Sequence, residues 1–180
     1  IAVANDTVQN FLLHNQKNGT FVEKAVERGM AFDQQGQARG AMGIDWARIR
    51  GGDQIAVAIG NFANEMSALY VSRGNAMQFN DEAIATGIGP QSRLELTFGT
   101  LFLDVDLDGF EDLLVSNGHE LDMMDVDVSD AAEVKKASKR MTPREQLDLR
   151  RGFTRLNAPN AAFRNRGGLR FEEVSKAWNF

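Results

Sequence analysis

Apolar residues occur along the chain in short runs, mostly four to six long and rich in Val, Ile, Leu and Phe. The runs end at turn-forming pairs such as Asn18-Gly19, Gly51-Gly52 and Arg73-Gly74. Short runs closed in this way predict strands linked by hairpins. In the middle of the chain the strands are expected near 42–47, 55–60, 67–72 and 77–82, with turns at Gly51-Gly52, Asn61 to Glu65 and Arg73-Gly74.

The pattern repeats. A shift of 56 residues lays Ile1-Ala-Val-Ala-Asn5 on Val57-Ala-Ile-Gly-Asn61, and a second shift lays that on Leu113-Leu-Val-Ser-Asn117. The same shift lays Met42-Gly43 on Phe98-Gly99. Another segment recurs as Asn10-Phe-Leu-Leu-His-Asn15, Ser67-Ala-Leu-Tyr-Val-Ser72 and Asn160-Ala-Ala-Phe-Arg-Asn165, and each copy leads to Phe21-Val-Glu23, Phe79-Asn-Asp81 or Phe171-Glu-Glu173. A short stretch then ends near Gly29, Gly87 or Asn179. The expected units are 1–41, 42–97 and 98–180, each of roughly four antiparallel strands, a period that describes propeller blades better than solenoid repeats. The expected fold is therefore all-β, a partial β-propeller of about three blades over 1–180. Propellers close with roughly 4–8 blades, so the remaining blades are expected on further sequence or on another chain, and open edges would invite pairing.

One region departs from the repeat. The third unit carries an insertion over 118–159 that reads as helical, with Asp130 and Glu133 spaced as a capped start and Thr142-Pro-Arg-Glu145 as a capping box. Its acids lead (Asp122, Asp125, Asp127, Asp130) and its bases trail, a placement that suits helix dipoles and also a docking surface.

Composition narrows the function classes. The chain has 180 residues, a formal charge of −5 and no cysteine, which excludes disulfide frameworks, thiolate metal sites and cysteine nucleophiles. No basic stripe able to neutralise a phosphate backbone is present, so nucleic acid is not an expected partner. No apolar run approaches the roughly 20 residues of a membrane-spanning helix. The chain opens at Ile1 inside an apolar stretch, which reads as part of something longer.

The most specific chemistry is Asp104-Val-Asp106-Leu-Asp108-Gly109-Phe110-Glu111-Asp112. Alternate carboxylates at positions 1, 3 and 5 can converge on one hard cation, the glycine at position 6 permits the sharp turn, and the carbonyl at position 7 adds an oxygen. The expected ligands are the side chains of Asp104, Asp106, Asp108 and Asp112 with the carbonyl of Phe110, and Glu111 should face solvent. An oxygen-only set on a flexible loop suits one Ca²⁺, with Mg²⁺ the weaker candidate. An EF-hand would need an acid at position 12, where Val115 stands, and flanking helices, whereas both flanks read as strands. A turn without metal would leave four neighbouring carboxylates to repel one another. In the middle unit Arg48 and Arg50 replace the first two acids, so no metal is expected in the Arg48–Ala56 loop.

Phe98-Gly99, the Asp104–Asp112 loop and Leu113-Leu-Val-Ser-Asn-Gly118 together resemble the FG-GAP/VCBS repeat, the blade of integrin-α-type propellers. Asn160 to Val174 and Met42-Gly-Ile-Asp45 resemble bacterial proteins in which such repeats precede an ASPIC/UnbV domain, similar to cartilage acidic protein. The resemblance implies calcium on the hairpin side of a blade, and an extracellular, periplasmic or cell-envelope module for adhesion or assembly. The middle unit departs from it in lacking the metal loop, the insertion is unusual, and no ASPIC/UnbV segment follows Phe180.

Catalytic chemistry has little to draw on. His14 and His119 form no motif with Ser or Asp, and a cation held by four carboxylates and a carbonyl has little room for Lewis-acid work. The aromatic residues, among them Trp46, Trp178 and Tyr70, are expected in the blade core. The expectation is a noncatalytic, calcium-braced module that binds a protein or glycan, with 118–159 as a candidate contact surface. The alternatives are the scaffold of a larger enzyme, or a structural subunit completed by another chain.

Overall fold

The computed structural model describes residues 1–49, 54–74, 77–118, 142–145 and 158–180. The chain divides into two units, Ile1–Asn117 with Pro159–Phe180, and Gly118–Ala158.

The first unit is mostly β and holds three antiparallel meander sheets that do not close on one another. The first contains β1 (Ala2–Val3), β2 (Phe11–Asn15) and β3 (Phe21–Glu23). The second contains β4 (Ala41–Arg48), β5 (Ile55–Asn61), β6 (Ala68–Arg73) and β7 (Gln78–Asp81), in that order. The third contains β8 (Thr97–Leu103), β9 (Asp112–Asn117), β10 (Ala161–Asn165) and β11 (Phe171–Glu173). Strand positions in the middle sheet follow the expected ones closely, because buried strands of Ala, Val, Ile and Leu end where Gly74 or the Asn61–Glu65 turn interrupts them.

The repeat is visible in register. Val57 pairs with Trp46, and its counterpart Leu113 pairs with Phe102. β4 and β8 both carry a register shift at their first residues, between Ala41 and Ile44 and between Thr97 and Gly99. Among the described residues β1 pairs with β2 alone and lies at the edge of the first sheet. Beside that edge runs an apolar cleft of about 410 Å³ lined by Ile1, Leu12, Ile44, Trp46, Val57 and Phe79 among others. Trp46, expected in the core, is instead 61% exposed and lines that cleft. Tyr70, Phe79, Phe163 and Phe171 are buried as expected, whereas Phe11, Phe21, Phe98 and Phe180 are exposed and Trp178 is half-buried.

Each sheet ends in a one-turn helix that strand reasoning did not foresee: α1 (Ala25–Arg28), α2 (Ala83–Thr86), followed by α3 (Ile88–Ser92), and α4 (Ser175–Trp178). The closing Phe-x-Glu/Asp acid is what starts them. Glu23 Oε1 accepts the Ala25 N–H at 2.6 Å and the Leu12 N–H at 3.0 Å, and Asp81 Oδ1 accepts those of Ala83 at 3.0 Å and Leu69 at 3.1 Å. Glu173 accepts the Ser175 N–H at 2.9 Å, while the Ser175 hydroxyl takes the Ala162 N–H at 2.8 Å. A carboxylate thus satisfies an otherwise orphaned helix donor and ties it to the neighbouring strand. Gly29, Gly87 and Asn179 end α1, α2 and α4 in the left-handed region.

Two apolar clusters lie between the sheets. One, with Leu69, Ile88, Leu113, Phe163 and Phe171, joins the second and third; the other, with Met30, Ile59, Tyr70 and Phe79, joins the first and second. Gly43 of β4 marks a close approach between sheets, since a Cβ there would stand 2.4 Å from the Phe98 carbonyl oxygen.

In the second unit Thr142 and Glu145 form the expected capping box. The Glu145 carboxylate accepts the Thr142 N–H at 2.7 Å and its hydroxyl at 2.8 Å, and the Glu145 N–H donates to that hydroxyl at 3.4 Å. The rest of the helical insertion, its charge gradient and His119 lie outside the described residues. So do residues 50–53, on which the expectation of a metal-free middle loop falls.

Candidate metal centre

The third sheet places the acidic loop between β8 and β9, and Leu103 of β8 pairs with Asp112 of β9 directly beneath it. The loop reverses through two left-handed residues, Leu107 at φ 59° and Gly109 at φ 88°. Glycine reaches that region without the steric cost a Cβ imposes, and Leu107 tolerates it with its side chain 86% exposed.

The reversal brings three carboxylates together. Asp104, Asp106 and Asp108 each offer an oxygen within 4.8 Å of the others, and among the described residues they form the group suited to a cation. In each, one oxygen serves the loop itself. Gly109 N–H donates to Asp104 Oδ2 at 2.8 Å, Asp108 N–H to Asp106 Oδ1 at 3.3 Å, and Phe110 N–H to Asp108 Oδ1 at 3.0 Å. These bonds orient the carboxylates and leave one oxygen of each for another partner.

What meets the leftover oxygens is uneven. Arg164, on β10, reaches across so that its Nη2 lies 2.6 Å from Asp106 Oδ2 and 3.2 Å from Asp108 Oδ2. Asp104 Oδ1 is buried and has no hydrogen-bond partner, and the Nε of Arg164 is in the same condition. A buried carboxylate oxygen without a partner is costly, and a hard cation coordinated by the three acids would satisfy it. The donor set fits Ca²⁺, which takes carboxylate oxygens at about 2.3–2.6 Å in flexible geometry. The Phe110 N–H bond and Arg164 hold the Asp108 carboxyl below its ordinary range.

Asp112 stands apart from that group. Its carboxylate is fully buried and both oxygens are engaged by backbone amides, Oδ1 by Asn165 N–H at 2.8 Å and Oδ2 by Val105 N–H at 3.0 Å. It joins the loop to the end of β10. Burial raises its carboxyl above the ordinary value, against the pull of those two donors. Asn165 reinforces the tie by donating from Nδ2 to the Glu111 carbonyl at 3.1 Å. Glu111, expected in solvent, is half-buried as a residue. The Phe110 ring packs against Gly167, with ring carbons 3.4–3.7 Å from where a Cβ would stand.

Arg164 and Asn165 were not among the expected site residues. The signal for them was faint, since Arg164 occupies the repeat position held by His14 in the first unit, and β9 and β10 are separated by the insertion. His14 is exposed on β2. Comparison of the chain with protein-family models and with curated proteins finds no match. Among the described residues no helix is long and apolar enough to cross a membrane.

Proposed function

We propose that this chain is a noncatalytic module of the β-propeller type, its three sheets serving as blades, in which one Ca²⁺ braces the hairpin between β8 and β9. The observation that carries the reading is the convergence of Asp104, Asp106 and Asp108, with one Asp104 oxygen buried and unpartnered. Their side chains are the proposed ligands, joined by the Phe110 carbonyl and, through lone pairs its amide donors leave over, Asp112. The cation replaces mutual repulsion among the three acids with attraction and holds the hairpin loop closed. Its work is mechanical: a rigid hairpin at one end of a sheet presents neighbouring loops to a protein or glycan partner in an extracellular, periplasmic or cell-envelope setting. The resemblance to FG-GAP/VCBS repeats supports that setting.

Calorimetric titration of Ca²⁺ into chelator-treated protein tests this reading, with Asp104→Ala/Asp108→Ala as control and melting temperature followed in parallel. One site, lost in the control and accompanied by a higher melting temperature, is expected. A wild-type protein that binds nothing at millimolar Ca²⁺ would sink the proposal.

A second reading is favoured by the edge of the first sheet: a structural unit completed by additional strands. Among the described residues β1 pairs on one side only, whereas β5 and β9 also pair with β4 and β8, and the apolar cleft lies alongside. Appending an eight-residue strand of the Ala41–Arg48 sequence through a turn before Ile1 should slow amide exchange at Ala2 and Ala4. Unchanged exchange would count against completion at this edge.

A further inference from the structure

Arg164 contacts two of the three carboxylates that would hold the cation, and it comes from a different strand, 56 positions away from Asp108 in sequence. Its guanidinium meets Asp106 Oδ2 and Asp108 Oδ2 through a single nitrogen, Nη2, at 2.6 Å and 3.2 Å. Those two oxygens are the ones the loop amides leave over, so the guanidinium and a metal ion would claim the same atoms. An ion roughly 2.4 Å from Asp106 Oδ2 would lie within about 5 Å of Nη2, and two cations that close repel across a partly desolvated loop.

We infer that Arg164 is an internal counter-cation that competes with the metal for Asp106 and Asp108 and thereby sets the affinity of the centre. The inference rests on the calcium reading of the loop. Without metal, Arg164 pairs with two of the three acids, offsetting one of their two negative charges, and joins the loop to β10. When metal binds, the guanidinium leaves those oxygens and the side chain, already 29% exposed, turns toward water.

Two features make the competition unequal. Arg164 leaves Asp104 Oδ1 unpartnered and buries its own Nε without an acceptor, so the guanidinium satisfies the centre incompletely. A divalent ion coordinated by all three acids does better, which allows metal to win at sufficient concentration. The apparent affinity is then lowered by the fraction of molecules in which Arg164 occupies the two oxygens. With side chains 22–29% exposed the ion pairs are modest, so the expected penalty is about three- to tenfold in Kd.

The test is calorimetric titration of Ca²⁺ into chelator-treated wild type, Arg164→Gln, Arg164→Lys and Arg166→Gln. Arg166 pairs with Glu172 at 2.6 Å, outside the loop, and its variant controls for simple loss of one positive charge. Arg164→Gln should bind about three- to tenfold more tightly, Arg164→Lys should fall between, and Arg166→Gln should match wild type. In the wild type, the guanidinium nitrogen resonance of Arg164 should shift on titration with the same midpoint as calcium uptake. Equal or weaker binding by Arg164→Gln, with wild type still binding one ion, would overturn the competition and leave the calcium centre standing. Equal tightening by Arg166→Gln would overturn it too, by reducing the effect to net charge. Failure of both wild type and Arg164→Gln to bind would remove the calcium reading, and this inference with it. Circular dichroism of each variant confirms that a folded protein is being titrated.

Discussion

Asp45 Oδ2, on β4, accepts the backbone N–H of Phe102, on β8, at 2.7 Å. This bond crosses between sheets, from the first strand of one to the first strand of the next, two residues beyond the point where Gly43 lets the Phe98 carbonyl approach. A side chain therefore ties the second sheet to the third where no ladder does. Asp45→Ala leaves the Phe102 amide without its acceptor at a site where Phe102 is 8% exposed, and should cost about 1–3 kcal/mol. Urea denaturation measures it, and a loss under a few tenths would show that water replaces the carboxylate freely. Gly43→Ala forces the same two strands apart and should cost about 1–3 kcal/mol by overpacking. As neighbours, the two substitutions should not add in the double variant.

Arg39 holds a second junction. Its side chain is 12% exposed and pairs with Asp33 at 3.2 Å and Asp81 at 3.7 Å, both more buried than itself, while its Nη1 donates to the Met66 carbonyl at 2.8 Å. Removing the cation strands two buried carboxylates, one of which also starts α2. Arg39→Met should destabilise the protein by about 3–5 kcal/mol, whereas Arg39→Lys should recover part of it without the fork that reaches three acceptors. Equal stability of Arg39→Met and wild type in thermal unfolding would contradict this.

Tyr70 supplies an alkaline signature. Its ring is buried in the cluster between the first two sheets, and its hydroxyl donates to the Phe32 carbonyl at 3.1 Å. Burial, reinforced by the charge of Asp81, pushes the phenol from 10.0 up to about 12. Because the folded value lies above the unfolded one, the stabilisation is fully present below pH 10.0 and is lost as pH rises toward about 12. At roughly 1.4 kcal/mol for each unit, the loss is on the order of 2–3 kcal/mol. Tyr70→Phe should flatten stability across that window, at a constant cost of about 1 kcal/mol for the lost hydrogen bond. A variant as alkali-sensitive as wild type would assign the effect to another group.

The sheets were legible in sequence because their signal is local and repeated: Val57-Ala-Ile-Gly-Asn61 has copies on either side, and β4 and β8 shift register at corresponding positions. The one-turn helices were not, since four residues give no helical period to read; their cause is the acid of Phe-x-Glu/Asp, visible beforehand only as a recurring letter. In the acidic loop, alternate spacing put Asp104, Asp106 and Asp108 together, and their oxygens lie within 4.8 Å of one another. It could not reveal that Asp112 is engaged by Val105 and Asn165, or that Arg164 reaches over from β10, because those contacts depend on the pairing of β9 with β10 across an insertion. Trp46 was misjudged because an apolar residue in a strand does not by itself say which face is covered; it lies 61% exposed beside the cleft.

That division within a single motif has a consequence that separates two of its acids. Asp104 has one oxygen on Gly109 and one without a partner, whereas Asp112 has both on backbone amides. Asp104→Asn keeps one carbonyl oxygen for Gly109 while removing the charge, so the metal-free protein should lose under about 1 kcal/mol and its melting temperature should no longer respond to Ca²⁺. Asp112→Asn can accept with one oxygen only and turns an NH₂ toward the other amide in a fully buried place. It should cost about 1–3 kcal/mol with or without calcium and, keeping one ligand oxygen, should leave a smaller calcium-dependent rise in melting temperature. Melting curves of both variants, each with chelator and with millimolar Ca²⁺, decide the matter. If Asp112→Asn alone abolished the calcium response while its metal-free stability matched wild type, Asp112 would be a ligand first and the Val105–Asn165 tie would be incidental.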